Sequence, residues 1–269
     1  MNEKQEPKLR VIINVSANKQ IQIKMEEQLK QLDDLKNELN HLRNQQSEKV
    51  AKAFDIEYTY ESNKIEGNTL TLQETALVIE KGLTIGGKTL NEHLEVINHT
   101  HAIELIKELA NDKNNITERD VLQIHRLILQ GINNENAGRY RNVQVLISGA
   151  KHVPPQPYLV QKEMESLFIW YNENKDNLHP IVLSAEMHER LVTIHPFIDG
   201  NGRTSRLLMN LILLQNRFPI AILKGDTDNR LKYYNALETA QINQDKQPFI
   251  NFIIENVKDT MQRIINVVK

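Results

Sequence analysis

The chain has 269 residues, 40% of them hydrophobic and 25% charged, which is globular composition with enough length to bury a sizeable core. Its 33 basic residues face 35 acidic ones, a formal net charge of -2, so no global field draws it to nucleic acid or to an anionic membrane. Cysteine is absent, which excludes disulfides, thiolate nucleophiles, zinc fingers and iron–sulfur clusters.

Met1 to Pro7 is polar and offers no apolar core for a signal peptide. With no cysteine, a cytoplasmic location is expected. Val11-Ile12-Ile13-Asn14-Val15 is a β-branched run that predicts a short strand. From Lys19 to about Ala53 the chain is charged, with Leu32, Leu35, Leu39 and Leu42 three and four apart, which predicts an amphipathic helix. Its few heptads favour packing on the body, or a dimer arm, over a long coiled coil. Further helices are predicted near Thr71–Lys81, Leu90–Leu109, Glu118–Leu129, Val160–Asn172, Ile181–Thr193, Arg203–Asn216, Arg230–Ala240 and Pro248–Val268. Thr117 is the expected cap of the helix that starts at Glu118. The longest apolar run, Leu207 to Leu214, is interrupted by Asn210 and too short to span a bilayer, so no membrane association is expected.

One segment departs from this pattern. Arg141 to Ile147 has strand character, and Ser148-Gly149-Ala150-Lys151 can turn it back. His152-Val153-Pro154-Pro155-Gln156-Pro157 then holds three of the eight prolines and reads as a stiff extended stretch. The expected fold is all-α with one small β-hairpin.

Chemistry concentrates in His195-Pro196-Phe197-Ile198-Asp199-Gly200-Asn201-Gly202-Arg203-Thr204-Ser205-Arg206. Gly200-Asn201-Gly202 permits backbone dihedrals that let successive N–H groups converge, and the helical pattern from Arg203 places them at a helix N-terminus. That combination is an anion site. Two arginines one turn apart suit a polyphosphate. Asp199 is a hard oxygen ligand where a Mg²⁺ bridging phosphates would sit. His195 ends the preceding helix and can take a proton from a hydroxyl at neutral pH. The parts describe transfer from a nucleotide to a nucleophile.

The run His-Pro-Phe-x-Asp-Gly-Asn-Gly-Arg-x-x-Arg matches the signature of Fic domains without departure, and the chain resembles the Fic/Doc family from about Glu57 to its C-terminus. Gly138-Arg139-Tyr140-Arg141 and the hairpin look like the family's target-docking flap, with Gly149, Ala150, Lys151 and His152 at its return placed near the nucleotide. Tyr233, Tyr234 and Gln241 resemble the base-binding region, where Asn is more usual than Gln at the last position. Lys246 to Ile250 resembles the opening of the closing helix. The resemblance implies a Fic-type helical bundle that moves AMP from ATP, with Mg²⁺, to a Ser, Thr or Tyr hydroxyl of a target protein. It makes His195 the general base, Asp199 the metal ligand, and Gly200, Asn201 and Gly202 the anion hole. Thr204 and Ser205 lie on the first turn beside it, and Arg203 and Arg206 hold the distal phosphates.

Upstream, Ser62-Asn63-Lys64-Ile65-Glu66-Gly67-Asn68 matches [S/T]-x-x-x-E-[G/N], the inhibitory-helix motif of such enzymes. On a helix Ser62 and Glu66 share a face, and a carboxylate paired with Arg206 would take the arginine the γ-phosphate needs. This resembles the self-inhibited class with an N-terminal inhibitory helix. The implied layout is an N-terminal segment at 1–55, a helical region with the inhibitory motif at 56–110, and a catalytic core at 111–269. A homodimer is a candidate assembly through the N-terminal helix. Two other classes stay open: a hydrolase that removes AMP with help from Glu66, and a non-catalytic helical interaction module. No basic run or helix-turn-helix suggests direct nucleic-acid binding.

The remaining histidines read as structural. His188-Glu189 opens like a zinc-protease helix, but Val192 stands where the second histidine belongs. His93, His99 and His101 read as a solvated helix face, His125 as a packed histidine, and Trp170 with Phe168 and Tyr171 as core packing.

Overall fold

A computed structural model describes residues 6–42, 47–112 and 114–269 of the chain. Ten α-helices occupy the described residues: α1 (Glu6–Leu42), α2 (Glu48–Ile65), α3 (Leu72–Lys81), α4 (Leu90–Asn111), α5 (Glu118–Ile128), α6 (Val160–Asn174), α7 (Pro180–Ile194), α8 (Asn201–Gln215), α9 (Thr227–Asn243) and α10 (Gln247–Val268). No strand occurs among them.

The starts of α3, α4 and α5 show why the periodic pattern translated so directly. Each carries a reciprocal capping box, Thr71 with Glu74, Thr89 with Glu92, and Thr117 with Asp120. Two otherwise orphaned backbone donors are satisfied at each start, and α3 ends on Gly82 in the left-handed region.

Two expectations fail near the N-terminus. Val11 to Val15 lies inside α1 rather than in a strand, because β propensity is a weak preference that a long helical context overrides. The helix expected to run unbroken to Ala53 is described to Leu42 and is broken by Ser47, whose backbone is extended and whose hydroxyl accepts from Val50 N–H, before a new helix starts at Glu48. Residues 43–46 of that expected run lie outside the described residues. The leucine stripe does what its spacing implied. Leu29, Leu32 and Leu39 are buried in one cluster with Ile250, Ile253 and Ile264 of α10, so this part of α1 packs on the body.

The centre of the bundle is α8. Every residue from Arg203 to Leu213 is buried. One apolar cluster joins it to α4, α5, α6 and α7 through Ile106, Ile124, Met164, Leu191 and Leu211. A second joins it to α1, α9 and α10 through Met209, Leu213, Tyr233, Phe249 and Ile253. A helix enclosed on all sides must find partners for any charge it carries. Arg203 and Arg206 are therefore held by specific neighbours.

Helix α2 supplies one of them. Glu57 pairs with Lys224 and Arg263, and Glu61 accepts the Gly225 N–H at 2.7 Å. Gly225 fits there because a Cβ would press on the Glu61 carbonyl at 2.9 Å. These contacts tie α2 to the segment that follows α8 and to α10.

The expected hairpin over 141–151 is absent. One turn hydrogen bond, Ala150 N–H to Ile147 carbonyl at 3.1 Å, closes the tip, but no ladder follows. Pro154, Pro155 and Pro157 remove three donors from the returning limb, so a ladder cannot propagate. Side chains tie the limbs instead. Gln144 Nε2 donates to the Pro154 carbonyl at 3.0 Å, and the Arg141 guanidinium donates to the carbonyls of Val143 and Pro155. The segment is extended and open, with Leu146 79% exposed.

Candidate active site

The loop between α7 and α8 gathers the residues singled out by the sequence. His195 closes α7 in the left-handed region, with φ 51 and ψ 57, its N–H on the Leu191 carbonyl. A non-glycine residue rarely takes that conformation without a constraint. Here the constraint is Arg141, which donates from Nε to the His195 carbonyl at 2.8 Å and from its own N–H to the Pro196 carbonyl at 2.9 Å. One arginine thus clamps the extended flap onto the loop.

Asn201 braces the loop from the other side. Its Oδ1 accepts from Phe197 N–H at 3.0 Å and its Nδ2 donates to the Phe197 carbonyl at 2.9 Å. Gly200 then turns with φ 77 into α8, whose N-terminus carries no side-chain cap. A Cβ at Gly200 would press on Ile128 and His125.

Helix α2 fills that outlet. The Glu66 carboxylate accepts from Arg206 Nη2 at 2.7 Å, and a Cβ at Gly202 would collide with Glu66 Oε1. A carboxylate therefore occupies the cradle that the missing side chain of Gly202 leaves at the helix N-terminus. Arg206 is fully buried and also donates to Ser62 Oγ and to the Ser62 carbonyl, both at 2.9 Å. Burial works against its charge and Glu66 more than restores it, so Arg206 stays protonated. Ser62 on α2 and Glu66 at its C-cap thus grip one arginine, 140 positions downstream of Glu66.

Arg203 sits differently. It is 2% exposed and lies 3.2 Å from Glu95 of α4 and 3.6 Å from Asp199. Asp199 itself is open, with 59% of its side chain exposed and Oδ1 accepting from Gly200 N–H at 2.6 Å. Thr204 and Ser205 are buried on α8, Ser205 bonding back to the Asn201 carbonyl. Of the flap residues, Gly149 takes φ 77 at the tip, Ala150 closes the turn, and Lys151 reaches Glu238 of α9 at 2.6 Å. His152 bonds the Thr193 carbonyl at 2.8 Å. On α9, Gln241 donates to Thr193 Oγ1 at 3.2 Å, so it and His152 meet at the end of α7. Tyr234 donates to the Ile65 carbonyl at 3.3 Å, next to Glu66. Tyr233 lies beside Tyr234, ring centroids 5.3 Å apart, but is buried, bonded to His188 Nε2 at 3.1 Å and packed on Phe249 and Phe252.

Three further residues shape the site. Arg141 is the clamp. Glu95 partners Arg203 and accepts from Asn68 Nδ2 at 2.8 Å. His125 stacks on Phe197 at 3.6 Å, accepts the Gly138 N–H at Nδ1 (3.0 Å) and so donates from Nε2 to the Asp199 carbonyl at 3.0 Å. It is the packed histidine the sequence implied, but it also links the flap's root to the loop. No motif flags that role, since both partners are backbone groups distant in sequence. Elsewhere His188 is core, as expected. His93 and His99 are buried, against the expected solvated face; His93 accepts the Ile85 N–H at 2.8 Å and His99 meets Thr59 Oγ1. A loop and α2 cover that side of α4, which helix periodicity alone cannot show.

Burial holds the His195 imidazole down at about 4; the Val192 backbone opposes this and Arg141 reinforces it. Burial also holds His125 at about 4, and His99 and His188 well below their ordinary value of 6.5. All four are neutral at pH 7. As pH falls below about 6.5 the unfolded chain takes up protons that these native sites refuse, so stability is full above that value and drains toward pH 4. Each histidine contributes up to about 1.4 kcal/mol per pH unit. The unfolding temperature, followed by circular dichroism, should therefore begin to fall below about pH 6.5. A flat profile from pH 7 to 5 would contradict the four neutral imidazoles.

Comparison with known proteins agrees with this geometry. The model of the Fic/DOC family matches residues 115–213. Protein adenylyltransferase fic-1 of Caenorhabditis elegans is 34% identical over 245 residues, 90% of this chain and 47% of that protein. Protein adenylyltransferase Fic of Nematostella vectensis is 39% identical over 215 residues, 79% of this chain and 49% of that protein. The chain spans about half the length of these curated relatives. A solved structure of Fic-1 from C. elegans superposes with a TM-score of 0.83 at 31% identity, covering 99% of this chain and 78% of that one. A Fic domain containing signaling protein from Bacteroides thetaiotaomicron gives 0.78 at 29% identity, covering 90% and 96%.

Proposed function

The chain belongs to the Fic/DOC family, and from that premise we propose that it is a protein adenylyltransferase restrained by its own Glu66. The observation that carries the proposal is the 2.7 Å ion pair between Glu66 and Arg206 at an uncapped helix N-terminus, with a neutral His195 on the same loop. An anion-binding outlet already holding a carboxylate is suited to a phosphate chain once that carboxylate moves. ATP is the substrate in this reading, and a Ser, Thr or Tyr hydroxyl of a target protein is the acceptor. His195 takes the hydroxyl proton. The hydroxyl oxygen then bonds the α-phosphorus as the bond to pyrophosphate breaks. The amides of Gly200 to Gly202, with Arg203 and Arg206, receive the departing charge. His152, Tyr234 and Gln241 flank the space that the rest of the nucleotide would enter.

Asp199 suits Mg²⁺, since a magnesium site normally combines one or two carboxylates with phosphate oxygens and waters, and this carboxylate is exposed beside the anion outlet. When bound, the ion would neutralise charge on the phosphates. Asp199→Ala should raise the Mg²⁺ concentration needed for half-maximal transfer several-fold. Superimposable Mg²⁺ titrations of the two proteins would remove Asp199 from that role.

The reaction class is tested with ATP labelled at either the α- or the γ-phosphate, incubated with Mg²⁺ and the Glu66→Gly chain. Label on the protein should come from the α-position and not from the γ-position. The reverse pattern would make it a kinase, and no label from either would leave the interaction-module reading. A hydrolase is the second reading, supported by Glu66 Oε2, which has no partner among the described residues and can orient a water. Release of AMP from a modified protein, lost in Glu66→Gly, would favour it.

A further inference from the structure

A cleft of about 870 Å³ opens between α5 and the 130–139 segment, away from the loop that carries His195. Arg119, Arg126 and Arg139 line it, together with the amides of Gln123, Gln130 and Asn134, and no carboxylate does. All three arginines are exposed, and none of their guanidiniums has an ion-pair or hydrogen-bond partner among the described residues. Some cations elsewhere on the surface are paired, as Lys107 with Asp55 and Lys151 with Glu238, whereas here three arginines line one cleft with no carboxylate among its walls. An unpaired basic cleft in a chain of net charge -2 is a local concentration of one sign.

We propose that this cleft docks an acidic, extended segment of the protein that is modified. The proposal rests on the reading of the chain as an enzyme acting on proteins. Spacing points to the ligand class. Arg119 and Arg126 are seven residues apart on α5, which separates them by about 10 Å along the helix. That is too wide for one phosphate group. It matches acidic side chains three residues apart on an extended polyproline-II chain, which rises about 3.1 Å per residue and turns every third side chain to one face. No aromatic side chain lines the cleft, so it lacks the stacking platform that single-stranded nucleic acid uses. Location points the same way. The cleft wall contains Gly138, whose backbone lies so close to α5 that a Cβ there would touch Arg126 at 3.0 Å. Two residues later the chain becomes the flap, clamped by Arg141 to His195. A segment seated in the cleft would approach the flap's root.

The test measures fluorescence anisotropy of a labelled peptide with glutamates three apart, its glutamine counterpart and an oligothymidylate of equal charge, each with the full chain. The acidic peptide should bind and weaken in 0.5 M salt, and the glutamine peptide should not bind. The Arg119→Gln/Arg126→Gln variant, checked for folding by circular dichroism, should weaken the acidic peptide by roughly 10- to 25-fold, up to about fivefold for each exposed charged contact. Equal binding by variant and wild type, or no binding at all, overturns the proposal. Tighter binding of the oligothymidylate, lost in the same variant, overturns it in favour of nucleic acid. Self-labelling from α-labelled ATP in the Glu66→Gly background is read separately and does not use this cleft. Peptide binding without self-labelling leaves the cleft and removes the transferase reading; self-labelling without peptide binding does the opposite.

Discussion

Replacing His195 with Ala should reduce AMP transfer by ~10²–10⁴-fold, the usual contribution of a general base, while nucleotide binding and fold persist. The structure separates the two roles of this residue. Its loop-forming contacts are backbone ones, the N–H to Leu191 and the carbonyl to Arg141, and these survive truncation. Only the ring is lost. Alanine is strained at φ 51, by about 1 kcal/mol, so His195→Asn, which tolerates that backbone, serves as the second variant. Both should keep the unfolding temperature within a few degrees and bind ATP at near wild-type affinity by calorimetry. Near wild-type transfer of label by either folded variant would remove His195 from the chemistry. The low proton affinity of the ring adds a further mark. With its pKa at about 4, the base is free at pH 6, so transfer should hold level from pH 7 to 6, where an ordinary histidine would lose activity.

Glu66→Gly should raise transfer, read as self-labelling, by ~10²-fold. Arg206 can satisfy Glu66 or a terminal phosphate oxygen, and the carboxylate also occupies the cradle at Gly202. With both blocked, ATP can lodge only with its phosphates displaced, and a misaimed reacting centre costs about that factor even where affinity changes little. The substitution leaves Arg206 gripped by Ser62 through Nε and Nη2, so the arginine stays positioned for a phosphate. It also leaves a buried guanidinium without its counter-ion, which destabilises by up to about 3 kcal/mol; the partly exposed Glu66 side chain places the effect toward the lower end. The variant should therefore melt earlier than wild type without ligand and gain more from Mg·ATP. Glu66→Gln, which keeps the shape and one hydrogen bond, should be intermediate in activity. Equal transfer by wild type and Glu66→Gly would show that the carboxylate does not restrain the site.

Much of this molecule is written locally in its sequence. Helix starts at Thr71, Thr89 and Thr117 are decided by side chains three residues apart, and the leucine stripe of α1 by a period that any window shows. The loop from His195 to Arg206 is likewise contiguous, and Gly200, Asn201 and Gly202 build the helix outlet from neighbouring residues alone. The pairing of Ser62 and Glu66 with Arg206 is legible only through the resemblance to the family's inhibitory-helix motif, since the short pattern by itself reads equally as a plain helix end. What the sequence could not decide depends on which surfaces meet. The β-branched run at 11–15 joined a helix, because strand preference needs a neighbouring strand to act through. The flap stayed open, because three prolines emptied the donor row that its pattern seemed to offer, and Arg141 supplied the bonds instead. Tyr233 turned into the core while Tyr234 faced Ile65, a choice made by the packing of α9 on α10 and not by residue type. His125 and Glu95 entered the site only through folding, since one is read by backbone groups and the other by an arginine more than a hundred residues away. Local hydrogen bonding and periodicity act within a few residues and are visible in any stretch of chain; burial, tautomer and ion-pair choice are set by distant segments, and only the packed structure brings those together.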